Sequence, residues 1–133
     1  MHKRWQQFIM RQLTFLLTFF TTVAFGQGTH DGLLGTYEST DNGFERYSII
    51  ILSKDYRFTY KSGLGGCQVE VTGTWTVENK KLKFTNDKEF LNNQTIHFPN
   101  LGLTSWTIKK FGIKPDNLVD SGCVTDDKLH RKR

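Results

Sequence analysis

The residues in this 133-residue chain best suited to chemistry are two cysteines, four histidines and a few short glycine- or serine-containing runs. Each supports a specific reading. His30-Asp31 has the composition of a catalytic dyad, but it stands close to the amino terminus of the folded part, where a fixed acid–base geometry is hard to hold. His97 falls between Ile96 and Phe98 in an alternating run and faces away from both, as an exposed strand histidine does. Ser121-Gly122-Cys123 offers nucleophiles with no readable base beside them. Gly63-Leu64-Gly65-Gly66 lacks the Lys-Ser/Thr that follows a phosphate-cradling loop, so it reads as a hairpin turn. Asn93-Gln94-Thr95 matches a glycosylation sequon, a three-residue pattern that recurs by chance. No acid, base and nucleophile assemble from these residues, so the chain reads as a non-enzyme that needs no cofactor.

Cys67 and Cys123 are the whole cysteine complement. With His30 and His97 they could be considered for a metal, but neither CxxC nor HxxxH spacing occurs and zinc sites normally show such local pairs. In an oxidising compartment an even pair reads as one disulfide. Closing a loop of that length removes on the order of 4 kcal/mol of unfolded-chain entropy.

The amino terminus supplies the compartment. Lys3, Arg4 and Arg11 form a positive region, Leu13 to Phe25 is uncharged and mostly apolar, and Ala24-Phe25-Gly26 places small residues at −3 and −1. Residues 1–26 therefore read as a signal peptide cleaved between Gly26 and Gln27, leaving residues 27–133 as one exported domain, periplasmic or extracellular. A stable membrane anchor is not expected, because a span needs about 20 predominantly apolar residues and Thr14, Thr18, Thr21 and Thr22 interrupt this run.

Export also explains the charge. The chain carries 18 basic and 13 acidic residues, but Lys3, Arg4 and Arg11 leave with the leader. Lys128, Arg131, Lys132 and Arg133 crowd the last six positions and read as a short solvated basic tail. Between Gln27 and Asp127 the balance is 11 basic to 13 acidic. A nucleic-acid partner, which wants a basic face interleaved with aromatics, is not expected.

Along the exported part the hydrophobic period is two. Tyr56, Phe58 and Tyr60 alternate with polar residues, and from Cys67 to Glu78 one side carries Val69, Val71, Gly73, Trp75 and Val77. Twelve straight residues span about 40 Å, so a bend or bulge is expected at Gly73. Ile49, Ile50 and Ile51 make both faces of Ser48–Leu52 apolar, so either the strand is covered on both sides or Ile50 and Leu52 form an outward patch for a protein partner.

The expected strands are Leu33–Ser39, Arg46–Leu52, Tyr56–Lys61, Cys67–Glu78 in two parts, Leu82–Thr85, Gln94–Phe98, Thr104–Lys109, Asn117–Asp120 and Lys128–Arg131, with a helical turn at Asp87–Leu91. Turn signals separate them at short intervals, one of them at Lys114-Pro115-Asp116-Asn117. The class is all-β: an antiparallel up-and-down meander of about eight or nine short strands, closing into a small barrel that leaves no sheet edge.

Leu33-Leu34-Gly35-Thr36-Tyr37 resembles the opening strand of lipocalin-like proteins, with Tyr37 where the Gly-x-Trp motif has its tryptophan. Gly73-Thr74-Trp75-Thr76-Val77 with Leu82-Lys83-Phe84, and Trp106-Thr107-Ile108 with Leu118-Val119, are similar to strand pairs of small exported lipocalin-like domains of Gram-negative bacteria. The resemblance implies a lipocalin-like barrel holding a small apolar ligand against Tyr37, Phe58, Tyr60 and Trp75. A typical ligand-carrying lipocalin is longer and has a lid-forming first loop, whereas Thr40 to Glu45 is short. The other reading is a barrel filled by those same aromatics, which acts through its surface as an interaction or inhibitor module. The two differ in one structural fact, whether the inward face encloses an apolar cavity of about 300 Å³ or more.

Overall fold

The computed structural model describes residues 30–41, 46–91, 97–120, 123 and 125–133. Two units are distinguished, Met1–Gly32 and Leu33–Arg133. The second holds ten strands: β1 (Gly35–Asp41), β2 (Arg46–Leu52), β3 (Arg57–Leu64), β4 (Cys67–Glu78), β5 (Lys81–Asn86), β6 (Trp106–Lys109), β7 (Gly112–Pro115), β8 (Val119–Asp120), β9 (Thr125–Asp126) and β10 (His130–Lys132). Eight of them close into an antiparallel barrel in the order β1-β10-β7-β6-β5-β4-β3-β2, while β8 and β9 pair only with each other. The all-β meander barrel expected from the alternating pattern is the observed fold.

Alternation decides which side chains go inside. In β2 and β3 every second residue is buried, and the register pairs Ser48 with Ser62, Ile50 with Tyr60 and Leu52 with Phe58. The inward face of this hairpin thus passes from two serines at its upper end to apolar residues below. Trp75, Phe84, Trp106 and Ile113 continue the core around the barrel. Edge-on contacts link Phe58 to Phe84 at 4.9 Å and Phe84 to Trp106 at 5.6 Å, the arrangement that aromatic quadrupoles favour.

Four expectations are corrected. The strand from Cys67 to Glu78 is continuous, with no bulge at Gly73. It is long because it changes neighbours: Cys67 to Thr74 pair with β3, and Gly73 to Glu78 pair with β5. Gly73 sits at the handover, where a Cβ would lie 2.0 Å from the Thr85 carbonyl oxygen and 2.6 Å from the Phe58 ring. The strand expected at Gln94–Phe98 falls largely outside the described residues, and His97 and Phe98 are not in a strand. Buried Asn86 holds this connection instead, donating to the Pro99 carbonyl at 2.8 Å and accepting from the Leu101 N–H at 3.3 Å.

Third, Gly112–Pro115 is a strand, although Gly and Pro at its ends mark a turn. Gly112 is needed because the His130 carbonyl oxygen approaches to 1.9 Å from where a Cβ would stand. Pro115 lies beyond the reach of β10, whose register partners on β7 are Gly112 and Ile113, so its missing N–H removes no bond on that side. Fourth, the strand expected over Lys128–Arg131 begins at His130, so the basic carboxyl terminus, though its basic side chains are exposed, is part of the wall and not a free tail. It contains β10, which closes the barrel between β7 and β1, and Arg133 extends it by donating its N–H to the Thr36 carbonyl and pairing with Glu38.

The turns follow their residue types. Asn79 and Lys80 both have positive φ, the primed two-residue turn that suits strand twist, and Gly65-Gly66 joins β3 to β4. A single 3-10 turn, Lys88–Phe90, stands where the helical turn was expected.

Candidate functional site

Cys67 and Cys123 form a disulfide, Cα to Cα 5.7 Å apart, as the pair of cysteines suggested. Its position gives it a second role. Cys67 opens β4, whereas Cys123 belongs to the connection between β8 and β9, which leaves the wall at β7 and returns at β10. On the barrel circumference β4 is three strands from β7 and four from β10. The β8–β9 hairpin therefore crosses the upper mouth and is fastened on the far side. Val119 of β8 is buried in the core.

β9 carries the most unusual group of the interior. Asp126 is 2 % exposed, and its carboxylate enters the serine-lined upper part of the barrel. Oδ2 accepts from Ser48 Oγ at 2.5 Å and from the Tyr60 hydroxyl at 3.1 Å, and lies 3.0 Å from His130 Nε2. His130 is fully buried, and its Nδ1 lies 3.0 Å from the Lys128 carbonyl, to which it donates. Burial alone would raise the Asp126 carboxyl. The hydrogen bond and charge of His130, helped by Ser48 and the Lys128 N–H, outweigh it and hold the carboxyl below its ordinary value. Burial and the Asp126 charge push the Tyr60 hydroxyl well above the ordinary phenol value, so it stays a donor. Ser62 Oγ, near Tyr60, is buried without a hydrogen bond of normal geometry.

This cluster contains Ser, His and Asp, yet its geometry is not that of a nucleophile relay. In such a relay the acid orients one ring nitrogen and the hydroxyl meets the other. Here Asp126 and Ser48 Oγ, 2.7 Å from the ring, converge on the same Nε2. Ser48 is also 5 % exposed, with its hydroxyl spent on the carboxylate. Among the described residues no group of three or more His, Cys, Asp or Glu could hold a metal ion.

The four residues expected to line a ligand site are all core. Tyr37 is 2 % exposed, Phe58 1 %, Tyr60 0 % and Trp75 1 %. The Tyr37 hydroxyl donates to the Leu33 carbonyl at 2.7 Å, fixing the start of β1. Ile50 and Leu52 are likewise buried, which overturns the outward patch proposed for them. Strand parity reverses the pair, and it is Ile49 and Ile51, both half-buried, that face out. The exposed large apolar residues are elsewhere: Leu103 at 82 % and Leu118 at 57 % among them. They flank an extension of the β6–β7 ladder, in which the Asp116 N–H donates to the Ser105 carbonyl and the Asn117 N–H to Thr104 Oγ1. Leu103 ends the short 3-10 helix Leu101–Leu103, and Leu118 immediately precedes β8.

An open polar cleft of about 560 Å³ lies on the wall just before β10 begins, between Glu38 and Ser39 of β1, Lys114 of β7 and the Asp127–Leu129 connection. Arg131 completes its basic lining.

Of the other candidates, His97 is exposed and Gly65 and Gly66 form the turn assigned to them. The cleavage site at Gly26 and Gln27, the Asn93 sequon, Ser121 and Gly122 lie outside the described residues. Sequence reasoning missed Ser48, Asp126 and His130. No protein-family model matches the chain, and no curated protein or solved structure is significantly similar to it.

Proposed function

We propose that the protein is an exported, lipocalin-like β-barrel that works closed and filled, acting through its outer surface as an interaction or inhibitor module. The observation that carries this reading is the near-zero exposure of Tyr37, Phe58, Tyr60 and Trp75, which fill the volume that a carrier would keep for an apolar ligand. The disulfide is consistent with an oxidising, extracytoplasmic setting. Leu103 and Leu118, both exposed at the extension of the β6–β7 ladder, supply apolar surface that a protein interface can use.

The test is a photo-crosslinking residue at position 103 in the full-length protein expressed in its native cells. The reading predicts an adduct with one protein species, lost when Leu118 is changed to Asp. A small molecule of constant mass retained in native mass spectrometry, with no adduct at position 103, would restore the carrier reading.

A further inference from the structure

We propose that Asp126 occupies, in cis, a carboxylate-binding site in the upper barrel interior, and that an external small organic carboxylate takes this site when reduction of Cys67–Cys123 releases the β8–β9 hairpin. This goes beyond the surface reading, which concerns the oxidised protein.

The site belongs to the barrel wall and its occupant does not. Ser48, Tyr60 and His130 stand on β2, β3 and β10, all paired within the closed sheet. Asp126 stands on a two-residue strand whose only partner is β8. The wall side chains converge on one oxygen of the carboxylate, at 2.5, 3.1 and 3.0 Å. Ser62, the register partner of Ser48, adds a buried hydroxyl that completes no hydrogen bond with this occupant. Three polar side chains, presented by a rigid wall, form a receptor for a carboxylate whichever chain supplies it.

A neighbouring cleft and a latch accompany it. The cleft beside Asp127–Leu129 is lined by Lys114, Lys128 and Arg131 against Glu38 and Asp127, and Glu38 already pairs with Arg133. Its field favours an anion. Ser39, also lining the cleft, is the register partner of Ser48. The latch is accessible: Cys67 is exposed and Cys123 half-buried. A dithiol reductant attacks one sulfur through a thiolate and forms a mixed disulfide, which its second thiol resolves. Two electrons and two protons pass to Cys67 and Cys123, and the reductant leaves as its own disulfide.

The experiment follows the amide resonances of Ser48, Tyr60 and His130 while sodium acetate is added against sodium chloride of equal ionic strength. Three samples are compared: the oxidised protein, the protein reduced with dithiothreitol, and Asp126→Ala with the disulfide intact. The proposal predicts saturable shifts in the reduced protein and the variant, with apparent affinity at least about tenfold tighter than in the oxidised protein, and none with neutral acetamide. Should the variant fail to fold, the reduced protein decides. Equal responses in the oxidised and reduced protein, no saturable shift in the reduced protein, or its unfolding on reduction would overturn the proposal.

Discussion

Asp126 and Asp127 are neighbours of the same type with opposite fates, one 2 % exposed and bonded on all sides, the other exposed on the cleft. Removing one partner of a buried charged cluster leaves the others unsatisfied, so Asp126→Ala should cost about 3 to 5 kcal/mol. Asp127→Ala should stay within about 0.5 kcal/mol, and urea unfolding compares them. The same carboxylate gives the stability a pH dependence of known sign. Because folding lowers its pKa, its contribution is complete above the unfolded value of about 3.9 and is lost as pH falls through the folded one. Asp87 acts in the same direction: Arg57 first, then Thr72, hold its carboxyl down to about 2. Urea midpoints should therefore be insensitive to these two groups near neutrality and fall below about pH 4, with Asp87→Asn removing the part that extends toward pH 2. Of this cluster only the inward-facing Tyr60 was legible in the sequence. A strand is expected over Lys128–Arg131, but no apolar residue shares the His130 face of β10 to signal that it turns inward.

At the scale of elements, legibility followed the strength of alternation. β2 was readable to its exact ends and β4 by its full length, because β2 buries every second residue from Ser48 and β4 does so from Val71 to Trp75, with half-buried Val69 and Val77 in phase. β7 and β9 were not, since four and two residues carry too little pattern and Gly112 and Pro115 argue locally for a turn. At Gly73 the strand has no bulge, and the glycine permits close approach at the handover. Gly73→Ala should then destabilise by about 1 to 3 kcal/mol through overpacking against the Thr85 backbone and Phe58, as chemical denaturation would measure. A bulged glycine would have tolerated the change better.

For the whole molecule, the alternating pattern and the short connections implied a closed barrel, and eight strands do close. What they could not decide was whether that barrel is empty, because inward aromatics serve a calyx and a filled core equally well. The filled reading proposed here rests on the burial of these aromatics and on a hairpin that crosses the mouth, a long-range arrangement fixed by one disulfide 56 residues apart in sequence. The chain beginning at Gln27 keeps two tryptophans, Trp75 and Trp106, which are 1 % and 0 % exposed. Acrylamide quenching of their fluorescence therefore tests the filled interior directly. The account predicts blue-shifted emission, weak quenching, and no response to an added apolar fluorophore such as anilinonaphthalene sulfonate; solvent-like quenching, or energy transfer from the tryptophans to a bound fluorophore, would contradict it.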